Sequence, residues 1–152
     1  MSSLNASFWN WFLFSVLVAC CFGCSPSAPQ QEEDSRLKPL TILYGKYLGQ
    51  HQGTPPANEA ELRKFIESQG PEFWANWKNV DATNIFTSER DGQPYVILYG
   101  PVSGPPGPAG KPVIAYESKG MNGKRYIGTD LGAVDEVDEA RLRELVPNAS
   151  AP

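Results

Sequence analysis

The stretch that most constrains the fold runs from Pro112 to Val146, PVIAYESKGMNGKRYIGTDLGAVDEVDEARLRELV. It reads as strand, turn, strand, tight turn, strand and short helix. Val113, Ile114 and Tyr116 form a β-branched and aromatic run, which suits a pleated, half-buried surface. Pro112 opens that run where its missing N–H removes no ladder bond. Lys119, Gly120, Asn122 and Gly123 supply a turn, because Asn and Gly tolerate positive φ. Arg125, Tyr126 and Ile127 resume the strand. Asp130 to Gly132 turn the chain again, and Ala133, Val134 and Val137 form the last strand. Asp138 then serves as N-cap of a helix of about two turns whose apolar face is Leu142, Leu145 and Val146. Pro147 ends it. The acidic start (Asp138, Glu139) and the later Arg141 and Arg143 suit the helix dipole.

Upstream, Leu37 to Gln50 reads as the first helix. Leu40, Leu43, Tyr44, Tyr47 and Leu48 recur at i, i+3, i+4, i+7 and i+8 and make a wide apolar stripe. Pro39 falls in the first turn, where it is tolerated. Gly53 and Pro55-Pro56 end the segment. Asn58 with Glu61 three residues on matches a capping box. Leu62, Phe65 and Ile66 give the second helix, closed by Gly70-Pro71. Phe73, Trp74 and Trp77 share one helical face; they read as core packing under a loop or as a stacking platform for a sugar or peptide. Ile85-Phe86-Thr87 reads as a short strand and Tyr95 to Tyr99 as a longer one, joined by the turn signal Arg90-Asp91-Gly92-Gln93. Pro101 to Lys111 (PVSGPPGPAGK) is a stiff surface loop. Its two collagen-like triplets are too few for a triple helix, and its glycine spacing and prolines do not make a phosphate loop. The expected architecture is α+β: two N-terminal helices packed on an antiparallel sheet of about four to five strands, closed by a short C-terminal helix.

The succession at 112–146 resembles the C-terminus of prepilin-related bacterial envelope proteins, the prepilins and pseudopilins. Those often end in an Asp-Gly-x-Val turn and a short helix; Thr129-Asp130-Leu131-Gly132-Ala133-Val134 stands at that place here. Leu131 separates Asp from Gly, and neither His nor Ser follows the Gly, so no metal or polar-site role is carried to this turn. The first helix with Leu40 and Tyr44, the Gly53-Thr54-Pro55-Pro56 loop and the capped second helix resemble the same heads, in which a helix lies across an antiparallel sheet. The chain lacks the Gly, Phe/Met-Thr and Glu pattern of a prepilin cleavage site, and filament assembly is not carried over.

Residues 1–24 read as a lipoprotein-type signal or anchor segment. Phe8 to Gly23 is almost wholly apolar, yet short of the about 20 residues that span a bilayer. Leu17-Val18-Ala19-Cys20 resembles a bacterial lipobox, which implies lipidation of Cys20; Cys24 is the alternative. The segment carries no Lys or Arg ahead of its apolar run, so a retained membrane anchor is the competing reading. Residues 25–36 (SPSAPQQEEDSR) form a flexible tether, too polar to bury a core. Residues 37–147 form a single domain, and 148–152 a disordered tail.

The available chemistry is sparse. All 3 Cys lie at positions 20, 21 and 24, so the folded part holds no disulfide, thiol nucleophile or cysteine metal site. The 1 His, His51, sits at a helix end. No Ser/His/Asp set has interpretable spacing. Asp135/Asp138 and Glu32/Glu33 read as caps or solvated faces. A net charge of −4 without a basic patch argues against nucleic acid. The expectation is therefore a non-enzymatic protein of the bacterial cell envelope, with no cofactor and no metal. Its partners would be the membrane, through the N-terminal lipid, and an envelope protein or glycan. A carbohydrate- or peptide-binding lipoprotein using Trp74 and Trp77 is the alternative.

Overall fold

The computed structural model describes residues 35–149. Cys20, Cys24 and most of the tether lie outside the described residues, as do residues 150–152. The elements run α1 (Leu37–Gln50), α2 (Glu59–Glu67), α3 (Pro71–Trp74), β1 (Tyr95–Ile97), a 3₁₀ turn (Pro108–Gly110), β2 (Val113–Glu117), β3 (Lys124–Thr129), β4 (Val134–Asp138) and α4 (Glu139–Leu145). The strands form one antiparallel sheet in the order β1-β2-β3-β4. The fold is α+β, as the sequence pattern predicts.

The sheet has two covered faces. On one, α1 lies across β2 and β3. Its stripe buries Leu37, Leu40, Leu43 and Tyr44 against Ile114 and Tyr126, and α2 adds Leu62 and Ile66. Fully burying a leucine contributes roughly 1.5–3 kcal/mol, so the three leucines of α1 alone favour docking by about 6 kcal/mol before ordering entropy is counted. On the other face α4 packs Leu142 and Leu145, with Val146, on Val113, Tyr116, Ile127 and Val137. The period-2 alternation of β3 feeds both layers: Tyr126 and Gly128 meet the α1 side, and Ile127 meets the α4 side.

Helix α1 seats unusually close to the β3–β4 turn. A Cβ at Gly45 would lie 1.9 Å from the Asp130 carbonyl oxygen, and one at Gly128 would lie 2.6 Å from Thr41 Cγ2. Only hydrogen at these positions lets the α1 backbone reach the Asp130 carbonyl and lets the Thr41 and Leu37 side chains lie on β3. At the other end of β3, Asn122 and Gly123 hold φ of 54° and 73°, and Met121 and Lys124 exchange N–H···O bonds of 2.9 and 3.0 Å. That is the positive-φ pair a two-residue hairpin turn demands. The caps also fall where the residue types place them. Asn58 Oδ1 accepts the Glu61 N–H at 3.0 Å, and Asp138 Oδ1 accepts the Arg141 N–H at 2.8 Å.

Three expectations change. Ile85-Phe86-Thr87 is not a strand. Asp81 Oδ1 accepts the N–H groups of Thr83 (2.8 Å) and Asn84 (3.0 Å), winding the approach into a turn. Thr87 then makes a single bridge with Pro94, flanked by Tyr95 N–H donating to Phe86 O and Ser88 N–H donating to Gln93 O, both at 2.9 Å, and the pairing goes no further. Ile85 and Phe86 are buried in the core without sheet pairing beyond that point. Strand β1 ends at Ile97, two residues before Tyr99. The ordered domain also begins earlier than Leu37. Ser35 is buried and its Oγ accepts the Leu37 N–H at 3.2 Å, while Arg36 Nη1 donates to Thr87 O at 3.3 Å. At the far end, Ala149 N–H donates to Val146 O at 2.8 Å, so the chain stays packed two residues past Pro147.

Candidate functional site

Four places bring chemistry-bearing side chains together. The first is the aromatic segment. Helix α3 is one turn long and starts at Pro71, which pre-sets its first φ. Phe73 stands between Trp74 (centroids 5.0 Å apart, 88°) and Trp77 (6.2 Å, 43°). All three rings are half-buried and packed on the α1 core. The segment thus gathers the predicted residues, but the rings do not share one plane. Lys46 Nζ lies 6.0 Å from the Phe73 centroid and donates to Gln69 Oε1 at 2.6 Å.

The second is the elbow between α1 and α2. His51, exposed at the end of α1 as expected, stacks on Tyr47 (3.9 Å, 8°), and Phe65 meets Tyr47 edge-on at 5.3 Å. The Tyr47 hydroxyl donates to Glu61 Oε1, and Ala57 N–H donates to Glu61 Oε2 at 2.8 Å. This pairing pushes the Tyr47 hydroxyl up to about 12 and holds the Glu61 carboxyl below its ordinary range. Both carboxylate oxygens are engaged, so Glu61 serves the elbow as a clasp.

The third is a buried charged cluster that sequence reasoning missed. Glu117, at the end of β2, is fully buried. Ser88 Oγ donates to its Oε1 at 2.8 Å and Tyr126 N–H to its Oε2 at 2.8 Å. Arg90 Nε lies 3.7 Å from Oε1, its guanidinium 3.9 Å above the Tyr126 ring, and its Nη2 2.9 Å from Glu136 Oε1. Arg125, also buried, pairs with Glu139 at the head of α4 at 2.9 Å. Desolvation holds the Glu117 carboxyl above its ordinary range, against the opposing pull of Tyr126 N–H, Ser88 and Arg90. A general acid or base must reach a substrate proton. Glu117 instead faces only its own chain and ties the turn before β1 to the sheet. Asp91, predicted as a turn residue, completes the tie: its Oδ1 accepts Gln93 N–H at 2.9 Å, and its Oδ2 accepts Gly120 N–H at 2.7 Å. The signal in the sequence was a charged residue ending an otherwise apolar strand, Val-Ile-Ala-Tyr-Glu; its partners Ser88 and Arg90 lie far back along the chain, and Tyr126 lies on the neighbouring strand.

The fourth is a cleft of about 480 Å³ between the end of α1, the loop after it, the Gly100–Val102 segment and the β3–β4 turn. Tyr44, Leu48, Pro55, Val102, Pro112 and Ile114 give it apolar walls, and Asp130 is its one ionisable carboxylate. The Tyr44 hydroxyl donates to Leu98 O at 2.9 Å. Burial, with Asp130 and Tyr47 nearby, pushes it up to about 12.

Among the described residues no group of three or more His, Cys, Asp or Glu is arranged to hold a metal ion, and no helix is long and apolar enough to cross a membrane. Compared with protein-family models, curated proteins and solved structures, the chain matches none.

Proposed function

We propose that this chain is a lipid-anchored, non-enzymatic protein of the bacterial cell envelope, whose α+β domain is a pilin-like head acting through contacts with other envelope molecules. The observation that carries the reading is the order of parts in the sequence: an apolar segment closing on Leu17-Val18-Ala19-Cys20, a polar tether, then one folded domain. Acyl chains on Cys20 would hold the protein at a membrane, since each buried CH₂ contributes about 0.8 kcal/mol and two or three chains together make the attachment stable. The head reading is supported by a helix laid across an antiparallel four-stranded meander. The contact reading is supported by the commitment of Glu61, Glu117, Arg90 and Arg125 to fold-holding bonds.

The intact mass of the native mature chain from the membrane fraction tests this. A diacyl or triacyl cysteine at the N-terminus is expected, lost in Cys20→Ala and retained in Cys24→Ala. An unprocessed, unacylated chain would overturn the reading. A second reading, glycan or peptide binding at Trp74 and Trp77, is supported by the partial exposure of both rings. Removal of residues 1–19 takes Trp9 and Trp11 with it and leaves these two of the 4 tryptophans as fluorescence reporters. Emission unmoved by envelope glycans and wall peptides would sink that alternative.

A further inference from the structure

Asn122 differs from the other described asparagines in what holds it. Asn58 Oδ1 accepts the Glu61 N–H, and Asn76 Nδ2 donates to Glu72 O. Asn84 is bonded through both ends of its carboxamide, to Asp81 N–H and Asn79 O. Asn79 precedes the buried, β-branched Val80, and Asn148 precedes Ala149, whose N–H is given to Val146 O. Asn122 is exposed at the tip of the β2–β3 hairpin and precedes Gly123. Among the described residues neither its carboxamide nor the Gly123 N–H has a hydrogen-bond partner. A Cβ at Gly123 would meet nothing within 4 Å, so the peptide group between the two residues is open to solvent base. One pair of bonds shuts the turn: Met121 N–H to Lys124 O at 2.9 Å and Lys124 N–H to Met121 O at 3.0 Å. Gly120 N–H, just before it, is tied to Asp91 Oδ2 at 2.7 Å, which keeps the base of the hairpin in place when the tip opens.

We infer that Asn122-Gly123 is a site of self-modification, at which the folded protein converts Asn122 to aspartate and isoaspartate. Base removes the Gly123 amide proton, and the nitrogen attacks Asn122 Cγ. A C–N bond forms, closing a five-membered succinimide, and the side-chain nitrogen takes up a proton and leaves as ammonia. Water then opens the ring. Addition at Cγ breaks the new C–N bond and gives aspartate; addition at the Asn122 main-chain carbonyl breaks the original peptide bond and gives isoaspartate. One water is consumed, one ammonia is released, and nothing is oxidised or reduced. Glycine suits the step because it has no Cβ to obstruct the approach and its backbone turns freely. Aspartate can keep the left-handed turn, since Asp, like Asn, visits that region. Isoaspartate carries the main chain through Cβ and adds one atom to a two-residue loop, so the Met121 and Lys124 bonds cannot both close. Either product places a new negative charge beside Lys124, whose ammonium lies 3.4 Å from Glu136 Oε2. The inference stands independently of how the N-terminus is anchored.

The test incubates the full chain in detergent at neutral and at mildly alkaline pH and maps its peptides by mass, with Asn122→Asp as the standard for the aspartate product. The expected result is a gain of one mass unit at residue 122, in two chromatographic species, ahead of the other described asparagines. Its rate should rise with hydroxide, and water enriched in heavy oxygen should leave that isotope in the product. Opening the turn loses two hydrogen bonds, so conversion is expected to run roughly 30-fold slower than in the chain unfolded by guanidinium chloride. A slowing of about 1000-fold or more, the mark of conversion only through global unfolding, would overturn the inference. So would an earlier gain at Asn58, Asn76, Asn79, Asn84 or Asn148, or a gain that persists undiminished in Asn122→Asp. Amide exchange at Met121 and Lys124 is expected to quicken in the isoaspartate species and to stay near the parent's in Asn122→Asp; equal protection in the isoaspartate species would overturn the assigned effect on the turn.

Discussion

Two glycines in α1, one turn apart, are predicted to respond to the same substitution with opposite signs. In a helix interior Ala is favoured over Gly by up to about 1 kcal/mol, from backbone entropy alone. At Gly49 a Cβ would meet nothing within 4 Å, and the position is exposed. Gly49→Ala is therefore expected to stabilise by roughly 0.5–1 kcal/mol. At Gly45 the new Cβ would sit 1.9 Å from the Asp130 carbonyl oxygen and 3.0 Å from its carbon. The obstacle is backbone at a hairpin turn, not the end of a side chain that could swing away. Helix and turn must part by roughly 1 Å before carbon and oxygen reach a tolerable contact, and a gap of that size forfeits a quarter to a half of each dispersion contact along the seam. Overpacking of this kind destabilises by about 1–3 kcal/mol, and the layer that must move carries Leu37, Leu40, Leu43 and Tyr44. Taking the upper end and subtracting the propensity gain leaves a net loss of about 2 kcal/mol.

Urea unfolding of the full chain, followed by circular dichroism, separates the two. For a slope of about 1–3 kcal/mol per molar urea, Gly45→Ala should lower the midpoint by about 1 M and Gly49→Ala should raise it by a few tenths, with slopes unchanged. A midpoint for Gly45→Ala at or above that of the parent would refute the close seating of α1 on the β3–β4 turn. A fall in Gly49→Ala as large as that in Gly45→Ala would show that α1 dislikes any added methyl, and the argument from the Asp130 contact would fail.

Other consequences are smaller or specific to conditions. Burial holds the Glu117 carboxyl above its ordinary range, so between the unfolded and folded values the native state carries a proton that the unfolded chain has released. Its contribution to stability is full below the unfolded value and is lost as pH rises through the folded one. The midpoint difference between Glu117→Gln and the parent should accordingly shift in favour of the variant as pH rises from about 4 to 7; a difference constant with pH would count against a desolvated carboxylate. Glu61 and Asp81 have the opposite sign, held low by the Tyr47 hydroxyl and by Thr83 respectively, and their contribution is present at neutral pH and lost as pH falls through their folded values, which is why the comparison with the variant is needed. Arg90→Ala leaves Glu117 buried without its cation and should destabilise by about 3 kcal/mol at neutral pH, a loss that Glu117→Gln in the same chain should partly restore. Asp138→Ala removes the acceptor of the Arg141 N–H and should lower stability by about 1 kcal/mol, with Asp138→Asn retaining most of it.

What the sequence disclosed, and what it did not, follows from how far apart the interacting residues lie. The bounds of α1 follow from a stripe whose members are three and four residues apart. The Asn58 and Asp138 caps, and the Asn122-Gly123 turn, each rest on residues within three positions. The failed strand at Ile85 is also local, but it required seeing that the Asp81 side chain would take two N–H groups and that Pro94 would face Thr87. The Phe73, Trp74 and Trp77 spacing predicts one helical face, but the helix ends at Trp74 and Trp77 follows it in a bend; how the rings tilt depends on packing against α1, which no spacing encodes. Glu61 shows a capping box diverted by tertiary contact, since its carboxylate reaches Ala57 N–H and the Tyr47 hydroxyl. The sharpest case is a pair of aspartates that look alike in the sequence, each in a Gly-containing turn between strand-like segments. Asp91 ends with its oxygens filled by Gln93, Lys119 and Gly120 N–H groups. Asp130 ends with its carbonyl pressed on Gly45. Residue type is the same for both, and each stands within two positions of a glycine. The difference is made by which backbone comes to rest against each carboxylate, and it sets Asp91 to hold the fold and leaves Asp130 Oδ1 shielded with no hydrogen-bond partner among the described residues.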